Sequence, residues 1–501
     1  MKNKELYKEY IFRIMACVLV VLMSLFVYIN VSNASWKFSD DHQFLTNTVK
    51  GRALWYVGGG GRFYPLGFIW QNFLIPFGNN AKAYILENNL FLILMALFLF
   101  LAVKEYVNKY TALFCVFLLL SLPAIGQIYL NVIFAESAIL FYLAVFIYCF
   151  KKGYDGDIRK YYWIAGFIAV VAVYSKEAVF LFFLVFSVTI LLFDNKNNSK
   201  RTKKFCYFLL INSILFLGIY YIRTRNQGTG NYAEEHNIGN DMLGIFKTYL
   251  TSNYVFAILM VILLVRIFWV LIKKDRSLIH ADAMLFSASA YCMAYVLLRM
   301  YATYYITPAY VFICCALGIY INRILQKRNN IRKLIQDKFK EKVRLKYLVC
   351  VLEILMISII MFQGICYFID RYSQLTVDLQ NVIEEREKTI DSTNLLVEFW
   401  EEGYDIYMYY PDSFTEYDKN IQDWYKWVLY IFTNIELYGE FTYGDFTIEI
   451  LEDSMISNQE IDGKYLVLFH VHQNIDALYE LYDTENNIDI WSGVVGITID
   501  E

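Results

Sequence analysis

The sequence predicts an all-α polytopic membrane bundle of about 11 transmembrane helices, followed by a small C-terminal α/β extracytoplasmic domain. Three observations predict it. Of the 501 residues, 58% are hydrophobic and 18% aromatic, and the mean hydropathy is +0.39, more apolar than ordinary soluble domains. Apolar runs long enough for a roughly 30 Å hydrocarbon core, which takes about 20 residues, recur along most of the chain. After Phe368 the composition changes abruptly to polar and acidic.

The runs lie near 10–30, 85–103, 111–127, 132–150, 161–175, 178–193, 205–222, 252–272, 282–299, 306–324 and 348–367. Charge orients them. Basic residues gather before the first run (Lys2, Lys4, Lys8, Arg13) and then in alternate connections, among them Lys104 and Lys109, Lys151 and Lys152, Lys200 to Lys204, Lys273 to Arg276, and 323–346. The positive-inside rule places the N-terminus in the cytoplasm and, after eleven spans, the C-terminal region outside. The basic start and Asn33-Ala34-Ser35 give the first run the look of a signal peptide, but ten more spans follow, so it reads as a retained helix. All nine cysteines fall in or beside spans without metal-type spacing, which makes them small apolar packing residues rather than a disulfide framework. A net charge of −3 gives no preference for polyanions, and no nucleic-acid partner is expected.

The division expected is a transmembrane domain over 1–370, with a first outer loop at 31–84, and an extracytoplasmic domain over 371–501. The outer loop is aromatic and contains Gly58-Gly59-Gly60-Gly61, which cannot hold a helix and lacks the Gly-Lys-Ser/Thr of a phosphate-binding loop. Amphipathic pieces on the membrane surface are expected on its far side, around 66–77. The loop 223–250 carries Arg223, Arg225, Glu234, Glu235 and His236 and suits a gate over a cavity. The C-terminal domain reads as a long polar helix over 371–402, a strand over 404–410, an amphipathic helix over 413–432, and strands near 441–450 and 465–472. His470 and His472 share a strand face, a pairing that coincidence produces more often than metal binding does.

Charge inside a bilayer costs roughly 2.5–3.5 kcal/mol even on lenient scales, so charged groups at span ends call for a reason. Glu136 begins the fourth run, Lys176-Glu177 joins the fifth and sixth, and Arg299 ends the ninth, shortly before Tyr305 and Pro308. The charge rule puts all of them on the same side as Asp40-Asp41 in the first outer loop. Arg62, just past the glycines, and Arg223 complete the candidate substrate-binding set. Gathered around one cavity, these are the parts needed to move a sugar off a polyprenyl-phosphate. A carboxylate takes the acceptor hydroxyl's proton as its oxygen attacks the anomeric carbon. Lys or Arg stabilises the charge gained by the departing phosphate, and attack from the opposite face inverts the anomeric centre. Plainer roles exist for each: a solvated acidic pair, a tight turn with snorkelling ends, an interfacial arginine. Asp40, Asp41 and Glu136 are also suitable oxygen ligands for a divalent cation, so the cofactor question stays open.

Ser39-Asp40-Asp41-His42 resembles the acidic motif in the first outer loop of GT-C glycosyltransferases, the class of the protein O-mannosyltransferases and aminoarabinose transferases. Phe134 to Leu140 looks like their acidic start of the fourth span, Tyr174-Ser175-Lys176-Glu177 like their Thr/Ser-Lys turn, and Arg299 to Pro308 like their late Arg-Tyr…Pro stretch. The resemblance runs over about residues 10–325. It implies that Asp40 or Asp41 is the catalytic base, that Glu136 positions substrate, and that Lys176 and Arg299 meet the lipid phosphate. Departures are Asp-Asp in place of Asp-Glu, Glu in place of Asp at 136, and Met300 in place of Tyr after Arg299.

The expected function is therefore an integral-membrane glycosyltransferase of the cell envelope. It would use a polyprenyl-phosphate-linked sugar and act on a surface glycan, teichoic-acid-like polymer, lipid or protein. The rivals are a polysaccharide polymerase, for which Arg223 and Arg225 would outrank Asp40, a flippase or transporter, and a membrane scaffold. Only five prolines and charges confined to one face argue against the transporter.

Overall fold

The computed structural model describes chiefly residues 2–32, 53–57, 62–77, 80–129, 134–194, 199–225, 242–302 and 304–338, with 398–410, 448–452, 464–470, 487–491 and 494–499 of the C-terminal region. Its helices are α1 (Lys2–Ser32), α2 (Ile69–Leu74), α3 (Ala81–Lys104), α4 (Lys109–Leu120), α5 (Pro123–Tyr129), α6 (Glu136–Gly156), α7 (Arg159–Val173), α8 (Phe180–Phe193), α9 (Lys200–Thr224), α10 (Met242–Ser252), α11 (Tyr254–Ile267), α12 (Ile279–Leu297) and α13 (Thr307–Lys338). Among the described residues six helical stretches are long and apolar enough to cross a membrane: Phe12–Ser32, Ala81–Lys104, Glu136–Gly156, Lys200–Thr224, Val255–Ile272 and Thr307–Ile324. This is a multi-pass membrane protein.

Ten of the eleven expected apolar runs fall on these helices, and the run at 348–367 lies outside the described residues. The run at 111–127 is not one helix. Pro123 has no N–H to continue α4, so the chain turns at Ser121 and Leu122 and starts α5 with the proline at its first position. Elsewhere side chains set the starts. Asn108 accepts from the main-chain nitrogens of Tyr110 and Thr111 at the head of α4, Ser199 from Thr202 at α9, and Asn253 from Phe256 at α11. The tetraglycine, Glu234, Glu235 and His236 lie outside the described residues.

In the bundle, α6 packs on α7 and α13, α8 on α9 and α12, and α12 on α13. Lipid is as apolar as any core, so close packing, not escape from water, holds such helices together. Phe146 sits edge-on to Phe183 and Phe186, and Phe182 stacks on Tyr291 with centroids 4.3 Å apart. Gly318 lets α13 approach α4 closely, since a Cβ there would lie 2.8 Å from the Cys115 sulfur. The described cysteines are all free thiols, and all but Cys17 are buried in this packing.

At the end of the bundle where α6 finishes and α12 begins, polar side chains tie neighbours together. Arg266 grips Asp282 through two bonds of 2.7 and 2.9 Å, and the Tyr320 hydroxyl donates to the same carboxylate at 2.7 Å. Tyr154 donates to Asp194 at 2.7 Å, with His280 3.7 Å from the same oxygen, and Lys152 pairs with Glu105 at 2.8 Å. Lys109 pairs with Glu9 of α1.

The described chain separates into two compact units, one comprising 1–32, 55–72 and 84–376, the other 33–54, 73–83 and 377–501. The second contains a five-stranded sheet of order β4-β3-β5-β7-β6, with β3 (Asp405–Tyr410), β4 (Ile448–Glu452), β5 (Tyr465–His470), β6 (Asn487–Trp491) and β7 (Val494–Ile499). β3 runs parallel to β4 and β5, and β7 antiparallel to β5 and β6. Tyr465 to Leu468 are consecutively buried, the pattern of a strand covered on both faces. Three strands lie near the positions expected, whereas β6 and β7 were not anticipated. The expected helices fall almost wholly outside the described residues. His470 ends β5, and His472 is outside.

Candidate active site

α7 ends at Tyr174, and the chain turns through Ser175 and Lys176 into a short 3-10 turn, Glu177–Val179, before α8. The Ser175 hydroxyl donates back to the Val171 carbonyl at 2.7 Å and closes the last turn of α7. A short ladder of β1 (Tyr56–Val57) and β2 (Phe63–Tyr64) leads into the segment that crosses this turn. Leu66 N–H donates to the Tyr174 carbonyl at 2.9 Å. Gly67 makes the crossing possible, because a Cβ would stand 2.5 Å from the Tyr64 ring and 3.1 Å from the Ser175 carbonyl oxygen.

The crossing brings four charged side chains together. Lys176 Nζ lies 2.9 Å from Glu136 Oε1, and Arg62 Nε lies 2.7 Å from Glu177 Oε1. Glu136, the first residue of α6, has no exposed surface, and the Lys176 side chain is 12% exposed. Tyr64 sits between the cations, its ring centroid 4.9 Å from the Arg62 guanidinium and 5.8 Å from the Lys176 ammonium. Tyr305 flanks Lys176 at 5.9 Å and stacks on Tyr295 with centroids 5.0 Å apart. The quartet is neutral overall: two cations, two carboxylates, set in aromatic walls.

Burial is the largest single influence and pushes Lys176 down, but the charge and hydrogen bond of Glu136, joined by Glu177 and opposed by Arg62, together hold the ammonium above its ordinary value. Lys176 is therefore a permanent cation. Its partner can be exchanged for another anion, and Arg62 is placed alike. Such a site can receive a phosphate by trading its own carboxylates for it.

The structure brings together Glu136, Lys176, Glu177, Arg62 and Tyr305 of the expected set. It does not bring Arg299 or Arg223 into this group. Arg223, in the last turn of α9, is exposed. Arg299 is exposed and has no ion pair among the described residues, and its backbone takes the left-handed conformation with φ of 55°, uncommon for a side chain with a Cβ. The loop after it is tied down by the Tyr249 hydroxyl, which reaches the Met300 carbonyl at 3.1 Å. Asp40 and Asp41 lie outside the described residues. Among the described residues no group of three or more His, Cys, Asp or Glu is placed to hold a metal ion.

Sequence reasoning passed over Tyr64, which bridges the two cations, and Glu87, a buried carboxyl in the second turn of α3. An acidic residue inside an apolar run was a signal for the second. No pattern announced the first.

Residues 66–221 match the model of the dolichyl-phosphate-mannose-protein mannosyltransferase family. A search among curated proteins finds no match. In fold the chain is similar to ArnT from Cupriavidus metallidurans. The form bound to undecaprenyl phosphate superposes with a TM-score of 0.51 at 11% identity, covering 96% of this chain and 97% of that one. The apo form gives 0.51 at 12% identity, covering 96% and 98%. The resemblance read from the sequence is therefore shared by the family model and by the fold.

Proposed function

We propose that this protein is a GT-C-type membrane glycosyltransferase that moves a sugar from a polyprenyl-phosphate donor to a cell-surface acceptor with inversion. The observation that carries the reading is the quartet. Two permanent cations stand 4.9 and 5.8 Å from the centroid of one tyrosine ring, each neutralised by a carboxylate that an incoming phosphate can replace. A site kept for stability alone would do as well with apolar side chains of similar volume. The family match over 66–221 and the ArnT-like fold support the same chemistry.

In this reading Lys176 and Arg62 hold the phosphate linked to the sugar. Asp40 or Asp41 takes the proton of the acceptor hydroxyl as its oxygen bonds to the anomeric carbon. The bond from that carbon to the phosphate oxygen breaks, its electron pair stays with the phosphate, and the two cations stabilise the added charge. Glu136 and Glu177, displaced from their partners, orient the substrate's hydroxyls, and Tyr305 supports Lys176. Arg299 and Arg223 approach the headgroup only from the rim. The N-terminus is cytoplasmic, and residues 371–501 form the extracytoplasmic domain that meets the acceptor.

The test is the surface-glycan composition of a deletion strain complemented with wild type, Lys176→Met, or Asp40→Asn/Asp41→Asn. One sugar should disappear in the deletion and return only with wild type. A change in polymer length without a change in composition would instead favour a polymerase. Full complementation by the variants, present in the membrane at normal levels, would end the proposal.

A further inference from the structure

Glu87 takes no part in the quartet, yet it is placed as a functional group is. Both its carboxyl oxygens are shut off from solvent, and neither has a hydrogen-bond partner among the described residues. A carboxyl stripped of water without a donor costs several kcal/mol on most scales, and an apolar side chain in its place would cost nothing.

The walls around it are aromatic. Tyr84, one turn earlier on the same face of α3, is fully buried, and Phe91 lies one turn later. Phe91 meets Tyr142 of α6 edge to face at 6.4 Å and Trp70 of α2 at 5.8 Å. The Trp70 indole N–H donates to the Tyr142 hydroxyl, closing the ring of side chains. Glu87 is within electrostatic reach of both phenols, Tyr84 and Tyr142.

Two boundaries fix where this carboxyl sits. Leu86 and Leu90, on the adjoining stripe of α3, are 54% and 52% exposed, so the carboxyl lies just behind a surface that faces lipid. On the other side Asn88 accepts from the Ser137 hydroxyl at 2.9 Å, and Ser137 follows Glu136 in the chain. One hydrogen bond thus ties this stretch of α3 to the start of α6, where the quartet's Glu136 lies.

The chemistry of a matching partner follows. It must donate hydrogen bonds, because the carboxyl oxygens lack donors. It fits between aromatic faces and arrives from the lipid side. A sugar ring carried on a lipid meets all three conditions, its hydroxyls toward Glu87 and its C–H faces on the rings.

We infer that Glu87, beside Tyr84 and Tyr142, is a subsite that accepts hydrogen bonds from hydroxyls of the carrier-linked sugar, near the cations that hold its phosphate. The inference rests on the carrier-linked donor proposed above. It makes Glu87 a substrate-binding residue that selects the sugar, while the quartet recognises the carrier whatever sugar it bears.

The test is binding to the full-length protein in nanodiscs, with bare undecaprenyl phosphate and with the same carrier bearing mannose, glucose or arabinose. Wild type should bind at least one sugar-bearing form more tightly than the bare carrier. Glu87→Gln and Glu87→Leu should each lower that preference, Glu87→Leu about tenfold, the loss of roughly one or two hydrogen bonds, and leave bare-carrier binding unchanged. Glu87→Leu should melt no lower than wild type. Equal binding of bare and sugar-bearing carriers by wild type, or an unchanged preference in Glu87→Gln, overturns the inference and leaves the carrier reading intact. Lower melting and weaker bare-carrier binding in both variants would make Glu87 a structural group and overturn it as well. Wild type that binds no carrier at all brings down both.

Discussion

Replacing Lys176 by methionine keeps much of its volume and removes its charge, leaving Glu136 buried at 0% exposure with no cation. Breaking a buried pair from one side costs about 3–5 kcal/mol, because the surviving charge is uncompensated. The orphaned carboxylate can escape by taking a proton. For a carboxylate with an unfolded-state value near 4.3, that costs about 3.7 kcal/mol at pH 7, and about 1.4 kcal/mol less for each unit of acidification. The deficit of Lys176→Met should therefore reach at most roughly 4 kcal/mol at pH 7 and narrow by over 2 kcal/mol near pH 5. The wild-type pair should show no such narrowing, since Lys176 is held above its ordinary 10.5 and stays charged throughout. The double variant Lys176→Met/Glu136→Gln should recover most of the loss, because a neutral amide replaces the bare charge. The assay is thermal and denaturant melting of the purified protein in detergent at both pH values. A single variant as stable as wild type at pH 7, or a double variant no better than the single one, would refute the reasoning.

Three further outcomes are expected. Arg266→Met strands the fully buried Asp282, to which Tyr320 still donates, and should cost about 3–5 kcal/mol in melting while surviving folded protein binds undecaprenyl phosphate as wild type does. Gly67→Ala forces a Cβ to within 2.5 Å of the Tyr64 ring, overpacking worth about 1–3 kcal/mol that should loosen the crossing over Ser175 and reduce transfer activity more than expression. Tyr249→Phe removes the hydroxyl that reaches the Met300 carbonyl, costs about 1–2 kcal/mol, and should speed tryptic cleavage after the exposed Arg299.

The helical bundle was legible because apolar length is a one-dimensional property, and a run of about 20 residues reads as a span without any knowledge of its neighbours. Where the reading broke, a local rule had intervened: Pro123 splits the run at 111–127, a stop that length alone does not register. Of the candidate site, Glu136 and Lys176-Glu177 stood out because charges at span ends are costly. That they pair across α6 and the turn after α7 depends on how the helices pack, which spacing does not encode. Arg62 pairs with Glu177 across 115 positions of sequence, a contact no local pattern can carry. Arg299 looked equivalent to Lys176 by topology, yet it stands apart, because sharing one side of a membrane does not fix position within it. β6 and β7 went unread because Asn487–Trp491 alternates polar and apolar over only a few residues and Val494–Ile499 follows almost at once.

The two ends of the helical bundle are fastened by different kinds of knot. Where α6 finishes, Arg266, Asp282, Tyr320, Tyr154, Asp194, Lys152 and Glu105 are bound to one another, each satisfied by a neighbour in the same protein. Where α6 begins, the ties are Lys176 to Glu136 and Arg62 to Glu177, and each can be undone by an anion from outside. A bundle laced this way behaves like a book: the spine stays shut, and the pages part only at the edge where a headgroup can slip between them. A lipid-linked substrate of the kind proposed thus meets exchangeable ties at the end that holds the quartet, and ties already satisfied within the protein at the other.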